Sequence, residues 1–242
     1  MKLLILILAS KNTSNINFDD ILNNGALKTW ASKEYENENI KILPFLGEHH
    51  TIEIVDNKLL INTIDKFLTT KTLKAFEYVL NNFEFDYLIR PNVSTYVRID
   101  KIYEYLLNKS RTKFYCGPKN NYDGITYPSG TNMMFSRDII EIIVKGKDQI
   151  KYNEWADDWC IGKYLHINGI EMSDELDHYW GIYGVWPEQE IMKKLYSLKK
   201  EDIDNYITFR CKTEIAGDNL SSVLGKRNDI EKMIHIHKLL NS

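Results

Sequence analysis

Met1-Lys2-Leu3-Leu4-Ile5-Leu6-Ile7-Leu8-Ala9-Ser10 opens the chain with an unbroken apolar run from Leu3 to Ala9. The run does not alternate with polar residues, so neither face is built for water. Continuous Leu/Ile stretches of this length mark a central strand of a parallel sheet, covered on both faces. A bilayer span would need about 20 apolar residues. The run has the length of a minimal signal h-region, but only Lys2 precedes it and no small-x-small cleavage pattern follows. A buried first strand is therefore the better reading.

Working outward, Lys11 to Asn17 is polar and turn-rich, a loop at that strand's carboxyl end. Phe18 to Glu36 reads as helix, with Ile21, Leu22, Leu27 and Trp30 along one stripe. Ile40 to Leu46, closed by Gly47, is a second strand, and Leu59 to Ile61 a short one. Thr69 to Asn82 carries Leu73, Phe76, Tyr78, Val79 and Leu80 at mostly helical spacing. Asp86 to Ile89 is a buried strand stopped by Pro91. Ile99 to Lys109 is helical, and Lys113 to Cys116 is a strand. Gly117 to Gly130, with three Gly and two Pro, reads as a loop. Met133 to Ser136 is a strand, Arg137 to Lys145 a helix, and Trp155 to Asn168 a helix ended near Gly169. Alternating helix and strand predict an α/β sandwich with a mostly parallel central sheet flanked by helices. With no linker, repeat or low-complexity tract, one domain over residues 1–242 is expected.

The composition is ordinary for a globular chain of 242 residues: 43% hydrophobic and 27% charged. Such a chain buries roughly 70% of its unfolded surface, enough for its own core. The 31 basic and 34 acidic residues give a net charge of -3, so bulk attraction to nucleic acid or anionic lipid is not expected. Cys116, Cys160 and Cys211 are few, far apart and odd in number, which argues against a disulfide framework or zinc knuckle and for a reducing compartment. The Asn-x-Ser/Thr sites at Asn12, Asn92, Asn108 and Asn219 would matter only in a secreted protein.

Open α/β sheets bind ligands at the carboxyl ends of their strands. That directs attention to Ala9-Ser10-Lys11, to Arg90-Pro91-Asn92-Val93-Ser94-Thr95, and to Trp155-Ala156-Asp157-Asp158-Trp159. Two adjacent carboxylates close to apolar surface can hold one base near neutrality. The pair equally suits helix capping, with Asp157 as N-cap and Asp158 in the first turn; the two roles are compatible. Gly124 to Gly130, with Tyr122 and Tyr127, resembles a ligand-facing loop. His49-His50 lies in a polar loop, and His235 and His237 fit solvated helix positions. His178 stands between Asp177 and Tyr179. Arg210, Lys212, Lys226 and Arg227 are a local basic concentration, either a solvated face or an anion clamp. No P-loop, GxGxxG, HExxH or GxSxG motif is present.

Together these stretches resemble inverting β-1,3-glycosyltransferases of the Fringe and galactosyltransferase type. Leu27-Lys28-Thr29-Trp30 looks like that family's Arg-x-Thr-Trp segment, and Phe45-Leu46-Gly47 its Phe-Leu-Gly strand end. Asp65-Lys66-Phe67-Leu68-Thr69-Thr70-Lys71-Thr72-Leu73 is similar to its Asp-x-Tyr-x-Asn-Leu-Thr-x-Lys-Thr-Leu stretch. Tyr127-Pro128-Ser129-Gly130 with Phe135-Ser136-Arg137-Asp138 looks like Tyr-x-Ser-Gly-x-Gly-Tyr-x-Leu-Ser-x-Asp. Asp157-Asp158-Trp159-Cys160-Ile161-Gly162 resembles Glu/Asp-Asp-Val-x-x-Gly. The family's acidic metal triplet is replaced: Thr95-Tyr96-Val97 is present, but Asn92-Val93-Ser94 precedes it. That version resembles a subset found in large DNA viruses and microbes.

The resemblance implies a GT-A fold, a nucleotide-binding part at about 1–98, and an acceptor and catalytic part at about 99–242. It implies inverting transfer of a hexose from a UDP-sugar to a glycan hydroxyl. Asp158 would be the general base, and Asp157 would orient it or bind the acceptor. Ala9 and Ser10 would border the nucleobase, and Ser129, Gly130 and Thr131 the sugar. Asn92 and Ser94 stand at the donor, but they are poor ligands for the family's Mn²⁺ or Mg²⁺, which needs carboxylate charge. Asn92 and His178 are the candidate metal positions. Arg90, Arg210 and Lys212, with Lys71, would instead neutralise the diphosphate. No membrane anchor or nucleic-acid partner is expected, and the location would be cytoplasmic, host cytoplasm if viral. The alternative is a non-catalytic nucleotide- or glycan-binding module on the same fold. Two other readings are a sugar-nucleotide nucleotidyltransferase and a domain acting beside a second glycosyltransferase domain.

Overall fold

The computed structural model describes residues 1–13, 15–151, 156–175, 179–181, 185–219 and 222–242. Trp155 and His178 lie outside them.

The amino-terminal half runs β1 (Leu3–Leu8), α1 (Phe18–Asp20), β2 (Ile40–Leu46), β3 (Glu53–Val55), β4 (Lys58–Leu60), α2 (Leu68–Asn82), β5 (Tyr87–Pro91), β6 (Thr95–Val97) and α3 (Ile99–Leu107). It continues through β7 (Tyr115–Gly117), β8 (Lys119–Tyr122), β9 (Ile125–Pro128), β10 (Asn132–Ser136), α4 (Arg137–Lys145), α5 (Asp157–Ile167) and β11 (Asp174–Glu175). The carboxyl-terminal part holds β12 (Tyr179–Gly181), β13 (Val185–Trp186), α6 (Glu188–Tyr196), α7 (Lys200–Ile203), β14 (Thr208–Arg210), β15 (Glu214–Ala216), β16 (Val223–Arg227) and α8 (Asp229–Leu240). These form two compact units that interleave along the chain. One comprises Met1–Lys11, Glu36–Asn92 and Tyr103–Asp177; the other comprises Asn12–Tyr35, Val93–Ile102 and His178–Ser242.

The first unit is a mixed α/β layer structure, consistent with a GT-A-like sandwich. Its eight-stranded sheet has the order β11-β7-β10-β5-β1-β2-β4-β3. β1 lies parallel to both β2 and β5, with Leu3 opposite Ile40 on one side and Tyr87 on the other. β10 runs antiparallel to β5. All six β1 residues are buried, as the unbroken apolar run requires. Leu4, Leu6 and Leu8 join a core with Leu73, Phe76 and Val79 of α2, Ile139, Ile140 and Ile143 of α4, and Ile161 and Leu165 of α5. Phe135 anchors that core, edge-on to Phe76 at 5.6 Å and stacked on Tyr115 at 5.3 Å. Fully burying one such side chain contributes about 1.5–3 kcal/mol.

Two elements differ from the sequence reading. The Phe18 to Glu36 helix is broken: after α1 the chain takes one wide turn over Ile21–Gly25 and a tight 3-10 turn over Ala26–Lys28. Asn23, Asn24 and Gly25 are weak helix formers, and the Thr29 hydroxyl donates to the Gly25 carbonyl at 2.8 Å. Gly117 to Gly130 is a β8–β9 hairpin, not an irregular loop. Its turn is Asp123-Gly124, both at positive φ (54° and 74°), the backbone a two-residue hairpin demands. The other elements appear within a few residues of their expected ends. α5 stops where Gly169 takes φ +71°, with Gly169 and Ile170 amides capping His166 and Leu165 carbonyls.

The second unit contains two three-stranded sheets, β12-β14-β6 and β13-β15-β16. His235 and His237 of α8 are half-buried rather than solvated, and His237 Nδ1 lies 3.0 Å from the Tyr96 hydroxyl. Cys116, Cys160 and Cys211 are all buried. Among the described residues, no helix is long and apolar enough to cross a membrane.

Candidate functional site

The chain leaves β1 on one side for β2 and later returns on the other for β5. At such a reversal the carboxyl ends of neighbouring strands open a crevice. Ala9 and Ser10 follow β1, Arg90 and Pro91 end β5, and Gly130 precedes the antiparallel β10. The first turns of α2 and α5 bring Lys71, Thr72, Asp157 and Asp158 to the same place.

Arg90 is the hub, with 1% of its surface exposed. Its Nη2 lies 2.5 Å from both Asp157 carboxylate oxygens. Its Nη1 donates to the Gly130 carbonyl at 2.7 Å and to Asn92 Oδ1 at 2.8 Å. The remaining guanidinium N–H, on Nε, is buried with no hydrogen-bond partner among the described residues. Asp157 also accepts from the Thr72 hydroxyl at 2.6 Å. The expected capping role therefore falls away. Ala156 occupies the N-cap without a side-chain cap, and Asp157 turns inward to Arg90.

Asp158, one residue on, is held by backbone amides. Oδ2 accepts from Gly130 at 2.6 Å and Oδ1 from Trp159 at 2.8 Å. Burial and the neighbouring Asp157 charge push its carboxyl above the ordinary aspartate range; the two amides and Arg90 oppose this without cancelling it. A carboxyl of raised proton affinity whose oxygens sit at a strand-end crevice suits general-base work. Gly130 is small for a reason: a Cβ there would lie 2.9 Å from Arg90 Nη1 and 3.2 Å from Asp158 Oδ2.

Lys71 is fully buried and donates to Asp65 Oδ1 at 2.7 Å, the Ala9 carbonyl at 2.9 Å and the Ser10 hydroxyl at 3.4 Å. Burial pulls its ammonium below the ordinary lysine value, against the Asp65 charge. Burial works against ionising Asp65 too, but Lys71 and the Gly47 and Lys11 amides outweigh it and hold that carboxyl below the usual range. Lys71 thus ties the end of β1 to α2. It and Arg90 are each matched by a carboxylate, where the sequence reading placed both against a diphosphate. Ser129 and Thr131 share a 3.1 Å hydroxyl contact beside Gly130.

Ser94, Arg210 and Lys212 belong to the second unit. The Ser94 hydroxyl accepts from Arg227, whose Nε also donates to Asp229 Oδ1 at 3.0 Å. Arg227 is therefore a buried, paired cation rather than part of a solvated face. Arg210 closes β14 opposite Thr95, and Lys212 Nζ lies 3.7 Å from Glu214. Buried Lys232, pulled down to about 8 by desolvation, donates to the Cys211 carbonyl and Thr213 hydroxyl. A cavity of about 720 Å³ in this unit is lined by Asn17, Arg227, Asp229 and His235 among others, and none of the expected catalytic residues lines it.

At the positions that the resemblance would assign to a divalent cation, Asn92 and Ser94 offer only neutral oxygens. Val93 is buried and apolar, and the Asn92 side-chain oxygen faces a guanidinium. Among the described residues, no three His, Cys, Asp or Glu side chains converge as ligands; His178 lies outside them.

Asp65 and Thr72 are partners of Lys71 and Asp157 that sequence reasoning did not single out. Their signal was present in the Asp65 to Leu73 stretch, where an acid precedes Lys71-Thr72 by less than two helical turns. The chain matches no protein-family model and no curated protein.

Proposed function

We propose that the chain is an inverting glycosyltransferase that moves a sugar from a UDP-sugar to a glycan hydroxyl, with Asp158 as general base. The observation that carries the reading is the division of labour between adjacent carboxylates. Asp157 is paired with Arg90, while Asp158 is bound only by neutral amides among its described hydrogen bonds and is raised above the ordinary aspartate range by burial. A carboxylate locked in a buried ion pair beside one held only by amides separates a structural ion from an acid-base group.

In the proposed step, Asp158 takes the proton of the acceptor hydroxyl as that oxygen bonds to the anomeric carbon. The carbon–oxygen bond to the diphosphate breaks on the opposite face, and UDP leaves with the electron pair. Configuration inverts. Gly130 holds the base by its amide and Arg90 by its carbonyl, so both groups are fixed before substrate arrives. Ala9 and Ser10 are assigned to the nucleoside, and Ser129 and Thr131 to the sugar. The departing diphosphate calls for cations. Arg90 and Lys71 are the candidates in the first unit, ranked by the UDP affinity lost when each is neutralised. The Asn92–Arg90 contact stands where family carboxylates would be, so no step runs through a metal.

That contact also favours a second reading, a binding module that takes nucleotide without transferring sugar. Calorimetric titration of UDP with Mn²⁺ and with EDTA, followed by a transfer and donor-hydrolysis assay, separates the two. Equal UDP binding in both buffers together with sugar release supports the transferase. Binding without turnover supports the module, and no binding in either buffer removes the UDP-donor reading.

A further inference from the structure

The β8–β9 hairpin presents two unlike faces. Register places Asn120 opposite Tyr127 and Tyr122 opposite Ile125, so these four side chains share one face. Lys119, Asn121 and Thr126 are on the other. Ile125 and Tyr127 are buried. Tyr127 packs so closely on α5 that a Cβ at Gly162 would come within 2.4 Å of its Cβ. The hairpin is thus seated on α5 through its second strand.

The first strand of that face is not buried. Every β8 residue is exposed, and Tyr122 keeps 54% of its surface in solvent. It is nevertheless held: its ring meets Trp159 edge-on at 5.8 Å, and Trp159 carries the Lys163 ammonium over its ring at 4.6 Å. Asn120 Nδ2 donates to the Tyr127 hydroxyl at 3.2 Å. Trp159 directly follows Asp158, and Gly130, which binds the Asp158 carboxylate, lies two residues beyond the hairpin. A held, half-exposed Tyr122 ring beside amide and phenol groups, resting edge-on against the buried Trp159 that follows the base, matches the chemistry of a pyranose. Such a ring has an apolar C–H face and a rim of hydroxyls.

We propose that Asn120, Tyr122 and the Tyr127 hydroxyl, backed by the buried Trp159, form the platform on which a pyranose acceptor lies, with its reacting hydroxyl turned to Asp158. Tyr122 takes the sugar's C–H face, and Asn120 with the Tyr127 hydroxyl takes ring hydroxyls. This assignment rests on the transferase reading for the acceptor role, though not for saccharide binding itself.

The test uses the full chain, ¹⁵N-labelled, titrated with methyl β-D-glucopyranoside, methyl β-D-galactopyranoside and methyl N-acetyl-β-D-glucosaminide. The expected result is amide shifts confined to β8, β9 and the start of α5, including the Trp159 indole. Affinity should fall about tenfold in Tyr122→Ala and stay within twofold in Tyr122→Phe, since the ring is what binds. In the transfer assay, Tyr122→Ala and Asn120→Ala should raise acceptor KM about tenfold, leaving UDP affinity and donor hydrolysis unchanged. Shifts elsewhere, no shift with any of the three glycosides, or unchanged affinity in Tyr122→Ala overturns the platform. Transfer with an unaltered acceptor KM does so while leaving the transferase standing. Glycoside shifts on the hairpin without UDP binding or donor turnover keep the saccharide platform and remove the transferase.

Discussion

Arg90 and Asp157, 67 residues apart in the chain, form a buried ion pair in which one guanidinium nitrogen lies 2.5 Å from both carboxylate oxygens. The pair joins the end of β5 to the start of α5 and so sets where Asp158, the next residue, can stand. Arg90→Met should therefore cost more than a lost contact. It strands a buried carboxylate, and breaking such pairs costs about 3–5 kcal/mol. Urea unfolding should show that loss, and Arg90→Met/Asp157→Asn should recover part of it. Equal stability of the single and double variants would mean that the pair does not hold the site together.

Asp158→Asn should reduce sugar transfer by roughly 10²–10⁴-fold, the range for removing a general base, with UDP affinity unchanged. Its stability should move the other way. The folded pKa lies above the unfolded value of 3.8, so the fold binds protons more readily and loses stability as pH rises from 3.8 through the folded value. At neutral pH the amide variant should be as stable as wild type or more so. A variant that is less stable and still fully active would remove the base assignment.

The pH profile of transfer follows from the same residue. The base must be ionised, so kcat/KM should fall on the acid side through a pKa above that of ordinary aspartate. Stopped-time assays across the acid range give the inflection, and one at or below 3.8 contradicts the burial argument.

Asp65 has the opposite sign. Its folded pKa is below 3.8, so the stability it contributes is present above 3.8 and is lost as pH falls through the folded value. The stability gap between wild type and Asp65→Asn should accordingly narrow under acid. A gap that stays constant with pH would mean that the Lys71 pairing does not contribute as charge.

Gly130→Ala should damage activity more than stability. The added Cβ meets Arg90 Nη1 at 2.9 Å and Asp158 Oδ2 at 3.2 Å, so the guanidinium and base must shift by a few tenths of an ångström. A displacement of about 1 Å at a reacting group costs on the order of 10²-fold in rate, whereas rearranging side chains relieves much of the strain. Comparing kcat with the urea midpoint separates the two effects.

Much of the sheet was legible from local pattern. The unbroken Leu3 to Ala9 run reads better as a strand buried on both faces than as a signal h-region, and α2 and α4 carry their apolar residues at helical spacing. Where local signals competed, the reading went astray. Three Gly and two Pro from Gly117 to Gly130 suggest a loop, although Asp123-Gly124 is a hairpin turn signal in plain sight. Apolar spacing from Phe18 to Trp30 suggested helix, although Asn23-Asn24-Gly25 could not sustain one.

The candidate site divides in the same way. Sequence by itself determined the central strand, the acid pair and its position at a helix start, because period and residue type are local properties. Only tertiary structure sets the environments of the two acids apart. Asp157 and Asp158 are chemically identical neighbours, and their difference comes from partners at Arg90, Thr72 and Gly130. Pairing a charge and desolvating another are long-range events, set by which strand ends meet, and no local pattern of residues encodes them.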